Sequence, residues 1–580
     1  MHNPSVRKAV ALALTNKKWQ VAPPIPDNVL HEFREAGFHP LIAQILYNRG
    51  VGSPQEAEAF FHPSEEPNPF RLPDMHEAVT RLREAIRKGE LIIVCGDYDV
   101  DGVTATALMC ETLASLGARV QPYIPNRVSE GYGLSMAAMR QFAEQGCRLI
   151  LTVDSGIRAN PEAEWAREHG IDMIITDHHS PRGELPRALA VVNPKRDDSR
   201  YPFPDLSGVG VAYKLAQGLL RSHSQVPIRA DARPVRESDL LDLVVLGTVA
   251  DLAPLRGENR ALVVRGMDAL RNTRRPGLKE LIVTSALRGP VSVGHISYIL
   301  GPRLNAAGRL YTAMDSYRLL TTRSQEEAKE LARRLEDCNR ERQCLTTEAI
   351  ERAYPQAYEQ AASAALLFVA DRDIPEGIAG LVATRLVEEF YRPSVVVQIS
   401  DGVSRGSARS IPEWNITAAL DRCSHLLVRH GGHAAAAGFE VETERLGILR
   451  EELLRIAHAD LEAKALTPTL VVDAEVPLRD MTWALQRELA CLEPFGYDNP
   501  TPVFLCRNVL VRDSRIVGEK HLRLWLSDGV AVWDAIAFKQ ADRASGLPHR
   551  VDVAFSLEVN TWNGQDRLQL HVREIWPAGG

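Results

Sequence analysis

The stretch Leu91-Ile92-Ile93-Val94-Cys95-Gly96-Asp97-Tyr98-Asp99-Val100-Asp101-Gly102 decides the fold class. Five apolar residues make a run of strand length, and three aspartates follow at alternate positions. In an extended chain alternate residues share a side, so these carboxylates converge. Outward from this point, helix and strand patterns alternate. A helical run covers 76–88, a helix is expected over 104–116, and apolar strands follow at 119–124, 149–153 and 171–176. Short continuous apolar strands separated by helices predict a parallel sheet covered on both faces, an α/β domain.

At 580 residues the chain is too long for one core. Five segments are expected: a helical lead-in over 1–65, an α/β domain over 66–323, a connecting helix over 324–354, a second α/β domain over 355–465, and a β-rich tail over 466–580. The connector is read from the absence of Gly and Pro across 324–354, with Leu331, Leu335, Cys338 and Leu345 forming a narrow apolar stripe. The tail's short strand patterns, broken by turns, fit a small antiparallel barrel, with an oligonucleotide-binding (OB) fold as one option.

Eight scattered cysteines without a C-x-x-C pair suggest neither a zinc module nor a disulfide framework. No apolar run approaches the roughly 20 residues that span a bilayer. The apolar residues 9–14 after Arg7 and Lys8 read as an ordinary first helix, and a cytoplasmic location is expected. The net charge of −7 argues weakly against a nucleic-acid protein. It fits one that keeps its bases in local grooves and commits many acids to metal.

The acids are placed in a pattern. Asp154 follows the strand 149–153, and Asp177-His178-His179 follows 171–176. The apolar run 243–250, read as a fourth strand, ends at Asp251. Ligands of open α/β sheets bind beyond the carboxyl ends of the strands. Any one of these aspartates alone would be a helix cap, and a lone His pair a packing or surface feature. Four segments delivering acids and imidazoles to one rim point to metal. Crowded carboxylates force protonation unless cations join them. Asp and His without Cys suit manganese or magnesium better than structural zinc.

At these residues the chain resembles the DHH phosphoesterase superfamily, whose four ordered motifs match Asp97–Gly102, Asp154-Ser155-Gly156, Asp177-His178-His179 and Ala250-Asp251. Gly431-Gly432-His433 resembles the GGH element of the DHHA1 domain that often follows. Further stretches narrow the likeness to the RecJ family of single-stranded-DNA exonucleases: Tyr123–Arg127 with Gly131-Tyr132-Gly133, Gly301–Arg309, Ser404–Ser410, and Leu492–Gly496 with Asn499-Pro500. Each tripeptide is a weak signal; their number and order are a strong one.

The resemblance implies a 5′→3′ exonuclease that releases 5′-mononucleotides, acting in DNA repair and recombination with two Mn2+ or Mg2+ ions. Asp99, Asp101, Asp154, His178 and Asp251 would hold the ions, with Asp154 bridging. Asp97 would either ligate or support a ligand. His179 would face the scissile phosphate and Asp177 would orient an imidazole. Cys95 stands where related pyrophosphatases carry a histidine ligand, and is read as strand packing. Arg127, Arg303, Asn305, Ser407, Arg409, Gly432 and His433 match substrate-binding positions. A plain Gly-Gly turn before an alanine-rich helix is the other reading of Gly431-Gly432. Trp525, Trp533 and Trp562 could stack on bases, although core packing is the favoured reading. Single-stranded DNA is the implied substrate, a single-strand-binding protein and a helicase the implied partners, and a monomer the expected state. The rival is a DHH phosphodiesterase acting on cyclic dinucleotides or short RNA, which would need neither the tail nor the long connector. A non-catalytic relative would have lost its ligands, whereas every ligand position here is still Asp or His.

Overall fold

Alternate residues of the first sheet feed two separate cores. Ile92, Val94, Leu149, Leu151 and Val153 enter one apolar cluster, while Leu91, Ile93, Cys95, Ile150 and Ile175 enter another. A sheet buried on both faces needs such continuous apolar strands. In this computed structural model the described residues are 17–63, 66–127, 130, 133–181, 183–464, 466–562 and 564–579. The expected helix near 9–14, Gly131-Tyr132 and the side chain of Trp562 lie outside that description.

The first sheet is parallel throughout, with spatial order Arg119–Tyr123, Leu91–Cys95, Cys147–Val153, Asp172–Thr176, Ala190–Val192. The chain leaves Leu91–Cys95 to one side and returns on the other. The strand order therefore reverses between Leu91–Cys95 and Cys147–Val153, and the crevice beyond such a switch point is where α/β sheets bind ligands. Cys95 is buried among Met139, Phe142 and Ile150, so the expected packing role is borne out.

The run read as a fourth strand is instead the helix Leu241–Ala250, buried along its length from Leu241 to Val249. A short apolar run has no period that tells a buried strand from a buried helix. Here it packs among the helices Val100–Ser115, Gly208–Gln225 and Gly257–Arg271, and a helix apolar all round belongs in such a place.

The connector is a helix of 37 residues, Gln325–Ala361, with Ser324 accepting the Glu327 N–H at its start. It outruns its expected end at Tyr354 by passing through Pro355. An internal proline costs about 3 kcal/mol. Ala353 and Ala357, fully buried on either side, pack with Val369, Ile378 and Val382 and hold the helix on course. Its first half is tied elsewhere, since Leu331, Ala332 and Leu335 join the core of the first sheet.

The second α/β segment has a five-stranded sheet in the order Leu427–His433, Ala436–Glu442, Val403–Arg409, Ser394–Gln398, Leu367–Asp371, parallel only in its last pair. The alanine-rich stretch after Gly431-Gly432-His433 is a strand, not the helix anticipated. The turn Ala434-Ala435 reverses the chain, and the second strand finds its partner in Val403–Arg409.

The chain divides into two compact units, one holding the described residues of Glu65–Leu466 and the other those of Thr15–Ser64 with Thr467–Gly580. In the second, five strands close a barrel: Phe504–Val517, His521–Ser527, Val532–Ala537, Gln565–Pro577 and Arg550–Trp562, the last pairing back to the first. The lead-in does not stand alone. Its strand Lys18–Val21 pairs with Thr469–Val472. Phe33, Ile45 and Leu46 from its helices share a core with Phe504, Phe555 and Leu524. Three short helices bury too little by themselves to be stable. No described helix is long and apolar enough to cross a membrane.

Leu335 is 1% exposed. Leu335→Ala is expected to cost about 2–5 kcal/mol, read as an earlier urea transition by tryptophan fluorescence. An unchanged transition would mean that the connector is not part of the first core.

Candidate metal centre

Each acid is positioned by the end of a different element. Asp99 caps the helix Val100–Ser115, its Oδ1 accepting the N–H groups of Asp101 at 2.9 Å and Gly102 at 3.1 Å. Asp101, 1% exposed, accepts from the first amides of the helix Gly208–Gln225, Gly208 at 2.6 Å and Val209 at 2.8 Å. Orphan N–H groups at a helix start favour an anion there. Asp154 ends its strand in a left-handed conformation with φ of 59°, a strain of order 1–3 kcal/mol for a residue with a side chain. Asp251 sits at the C-terminus of Leu241–Ala250, the end of a helix where negative charge is disfavoured. Such costs persist where the site itself depends on the geometry.

Two glycines make the gathering possible. A Cβ on Gly208 would lie 2.3 Å from Asp154 Oδ1, and one on Gly247 would lie 2.7 Å from Asp101 Oδ1 and 2.4 Å from Thr104 Oγ1. Neither was singled out from the sequence. The signal was a helix start, Ser207-Gly208-Val209-Gly210, with Ser207 accepting the Gly210 N–H.

The ligand-type atoms fall into overlapping groups, each with all atoms within 4.8 Å of one another: Asp97, Asp99 and Asp154; Asp101, His178 and Asp251; and Asp154, His178 and His179. His178 Nε2 is 3.1 Å from Asp154 Oδ1, 3.9 Å from Asp251 and 4.0 Å from Asp101. Yet Asp97 Oδ1, Asp154 Oδ1 and His178 Nε2 are buried with no hydrogen-bond partner. Buried polar atoms are seldom left so. Burial first, and neighbouring aspartates second, push the Asp97, Asp154 and Asp251 carboxyls well above the ordinary range and Asp101 to about 7. Burial, with the charge of His179, lowers His178 to about 3, leaving the neutral imidazole that metals bind. This donor set fits hard divalent cations.

Asp177 does a different job. Its Oδ1 accepts from His178 N at 2.7 Å, His179 N at 3.0 Å and His179 Nδ1 at 2.8 Å, and its Oδ2 from Ile157 N at 2.9 Å. Burial would raise its pKa, but the hydrogen bond and charge of His179 prevail and hold it at about 2. The same bond raises His179 against the effect of burial. Asp177 thereby fixes the His179 ring, which stacks on His433 from the second segment at 5.6 Å and 12°.

The other anticipated residues divide. Arg127 lies over the Tyr98 ring at 5.0 Å. Arg409, in the charge field of Arg127, shares a face of Val403–Arg409 with Ser407, by the alternation of a strand. Gly432, in the strand that carries His433, has φ of 151°, and a Cβ there would meet Ala436 O at 2.3 Å. Arg303 is held by Glu336 of the connector at 2.6 Å. Asn305 accepts the Val100 N–H at 3.1 Å, bracing the aspartate loop. In the barrel, Trp525 has the guanidinium groups of the cross-strand pair Arg515 and Arg523 over its ring at 5.3 and 5.2 Å, and it is partly exposed rather than in the core. Trp533 packs against the barrel core.

Comparisons with known proteins bear on this arrangement. Residues 91–248 match the model of the DHH family N-terminal domain, and residues 472–574 match that of the RecJ OB domain. The chain is 37% identical over 566 residues to the Bacillus subtilis single-stranded-DNA-specific exonuclease RecJ, covering 96% of this chain and 70% of that one. To the Escherichia coli RecJ it is 35% identical over 562 residues, covering 93% and 96%. The crystal structure of Thermus thermophilus RecJ in complex with Mn2+ superposes with a TM-score of 0.83 at 31% identity, covering 97% of this chain and 80% of that one. The same protein with Mg2+ gives 0.77 at 30% identity, covering 97% and 79%. With identity of this order along nearly its whole length, this chain belongs to the RecJ family of single-stranded-DNA-specific exonucleases.

Proposed function

We propose that this chain removes 5′-mononucleotides from the 5′ end of single-stranded DNA by hydrolysis, using two Mn2+ or Mg2+ ions. The observation that carries the reading is the set of buried ligand atoms on Asp97, Asp154 and His178 that make no hydrogen bond. Asp101, His178 and Asp251 would hold one ion, Asp97 and Asp99 the other, with Asp154 shared between them. When bound, such ions polarise a phosphodiester and acidify water, the chemistry that hydrolysis at neutral pH requires.

The chain's own groups do the rest. His179, its ring fixed through Nδ1 by Asp177 and its positive form favoured, meets the negative charge of the scissile phosphate. His433 packs against it and completes that wall. Arg127 and Arg409, with Ser407, gather positive charge beside Tyr98, between Asp97 and Asp99 in sequence. A terminal phosphate carries more charge than a diester and suits such a cluster, which favours 5′ polarity. The barrel of the second unit offers Trp525 with its two arginines as a stacking surface for unpaired bases. The small-substrate rival gains no support, since the RecJ OB match has no use in an enzyme confined to dinucleotides. A helicase and a single-strand-binding protein would produce and coat the strand it consumes, in the cytoplasm. A monomer suits an enzyme that threads one strand.

Purified protein and Asp154→Ala should be incubated with manganese and long single-stranded DNA labelled at either end. Early mononucleotide release from the 5′ label alone is expected, with loss of at least about 100-fold in the variant. Release from the 3′ label would overturn the polarity, and retained turnover the ligand role. Asp177→Asn should lower kcat by about 10–100-fold through a loosened His179, while calorimetry shows manganese binding retained. Equal loss of binding and turnover would make Asp177 a ligand instead.

A further inference from the structure

A cavity of about 110 Å³ adjoins the metal centre, with Ala250, Asn305, Arg309, Arg342 and Leu381 among its walls. Ala250 directly precedes Asp251, and Asn305 braces the backbone between Asp99 and Asp101. Arg342 comes from the connector helix, to which the sequence had assigned only a mechanical part.

Among the described residues, the two guanidinium groups in this cavity have no carboxylate partner. Arg309 donates to Gly377 O at 3.4 Å and Arg342 Nη2 to Asn339 Oδ1 at 2.9 Å. Arg342 Nε is buried with no hydrogen-bond partner. Among the described residues neither arginine pairs with a carboxylate, in contrast to Arg303, which Glu336 neutralises. Burial first, and then the like charge of Arg127, Arg409 and Arg342, lower the Arg309 pKa to about 9. Cations collected in a partly buried place without an anion are unfavourable. An anion from outside removes that cost.

We propose that Arg342 and Arg309 bind a backbone phosphate of the single strand, distinct from the phosphate being cut and from the terminal phosphate beside Arg127 and Arg409. The planar fork of arginine suits the two non-bridging oxygens of a phosphodiester. The connector is then part of the substrate track. This rests on the reading of the chain as a single-strand nuclease, and adds a site and a residue to it.

Binding of a fluorescent 5′-phosphorylated oligothymidylate, followed by anisotropy at several salt concentrations, tests the assignment. The full-length Asp154→Ala protein serves as parent, so that the probe is not cut. Adding Arg342→Gln should weaken binding about tenfold and reduce the slope of log K against log salt by about 0.7, the contribution of one phosphate contact on a single strand. Arg342→Lys should keep the slope and lose affinity several-fold through the missing fork. Weaker binding at an unchanged slope in Arg342→Gln would put a base or sugar in the cavity and overturn the phosphate assignment. Parental affinity and slope would remove Arg342 from the track altogether. If melting curves show Arg342→Gln misfolded, Arg342→Lys decides: several-fold weakening supports the site and parental affinity overturns it. A parent that binds no single strand would instead sink the functional reading, and this inference with it.

Discussion

Like charges held close together are the constraint that the catalytic unit is built around. Asp97, Asp101, Asp154 and Asp251 meet Asp99 at one rim, where burial and mutual repulsion both work against the ionised forms of the first four. Each is kept there by a local device: a helix cap at Asp99, two helix amides at Asp101, a left-handed backbone at Asp154, a helix C-terminus at Asp251. These devices come from different elements, so the site exists only when the sheet and three helices are assembled. The glycines at 208 and 247 are the clearance that lets those helices close on the acids. Divalent cations would convert the repulsion into coordination, and would let a protein of net charge −7 receive a polyanion at this rim.

The second α/β segment contributes the opposite charge. Its strand Val403–Arg409 brings Arg409, and its hairpin brings His433 to the ring of His179. The acids come from strand ends and helix ends of the first segment, whereas Arg409, Ser407 and His433 lie on strands of the second. Arg309 stands where the two meet, its carbonyl close against Gly377 of the second segment.

Much of this was legible in the sequence where periodicity and turn chemistry speak locally. The apolar strands, their alternating faces and the aspartates beyond them could be read because each run is of strand length, rich in β-branched residues and closely flanked by glycine. The helix Leu241–Ala250 could not, since its all-apolar surface carries no period and its partners lie in other parts of the chain. The extension of the connector through Pro355 was hidden for a similar reason, as buried alanines overrode a local breaker. The pairing of Arg303 with Glu336 spans 33 residues and is a matter of tertiary packing. So is the shared core of the lead-in and the barrel, whose segments lie more than 400 residues apart, as the bond from Asn48 to Asp473 shows. The resemblance located the acids and arginines and gave Asp177 an orienting part, whereas the geometry showed His179 as the imidazole it holds and exposed Arg342.

The connector helix has one more consequence. Its N-terminal half is anchored in one core and its C-terminal half in another, over a length of about 55 Å at 1.5 Å per residue. A loop between lobes would absorb an added residue by bulging, but a helix pinned at both ends cannot. One residue inserted between Asn339 and Ala349 turns everything beyond it by about 100° and shifts it along the axis. His433 and Arg409 would then swing out of reach of the acids they face. The spacing of this exposed, charge-rich segment is therefore as restrictive as the identity of a buried aspartate, while most of its outward side chains are free to vary.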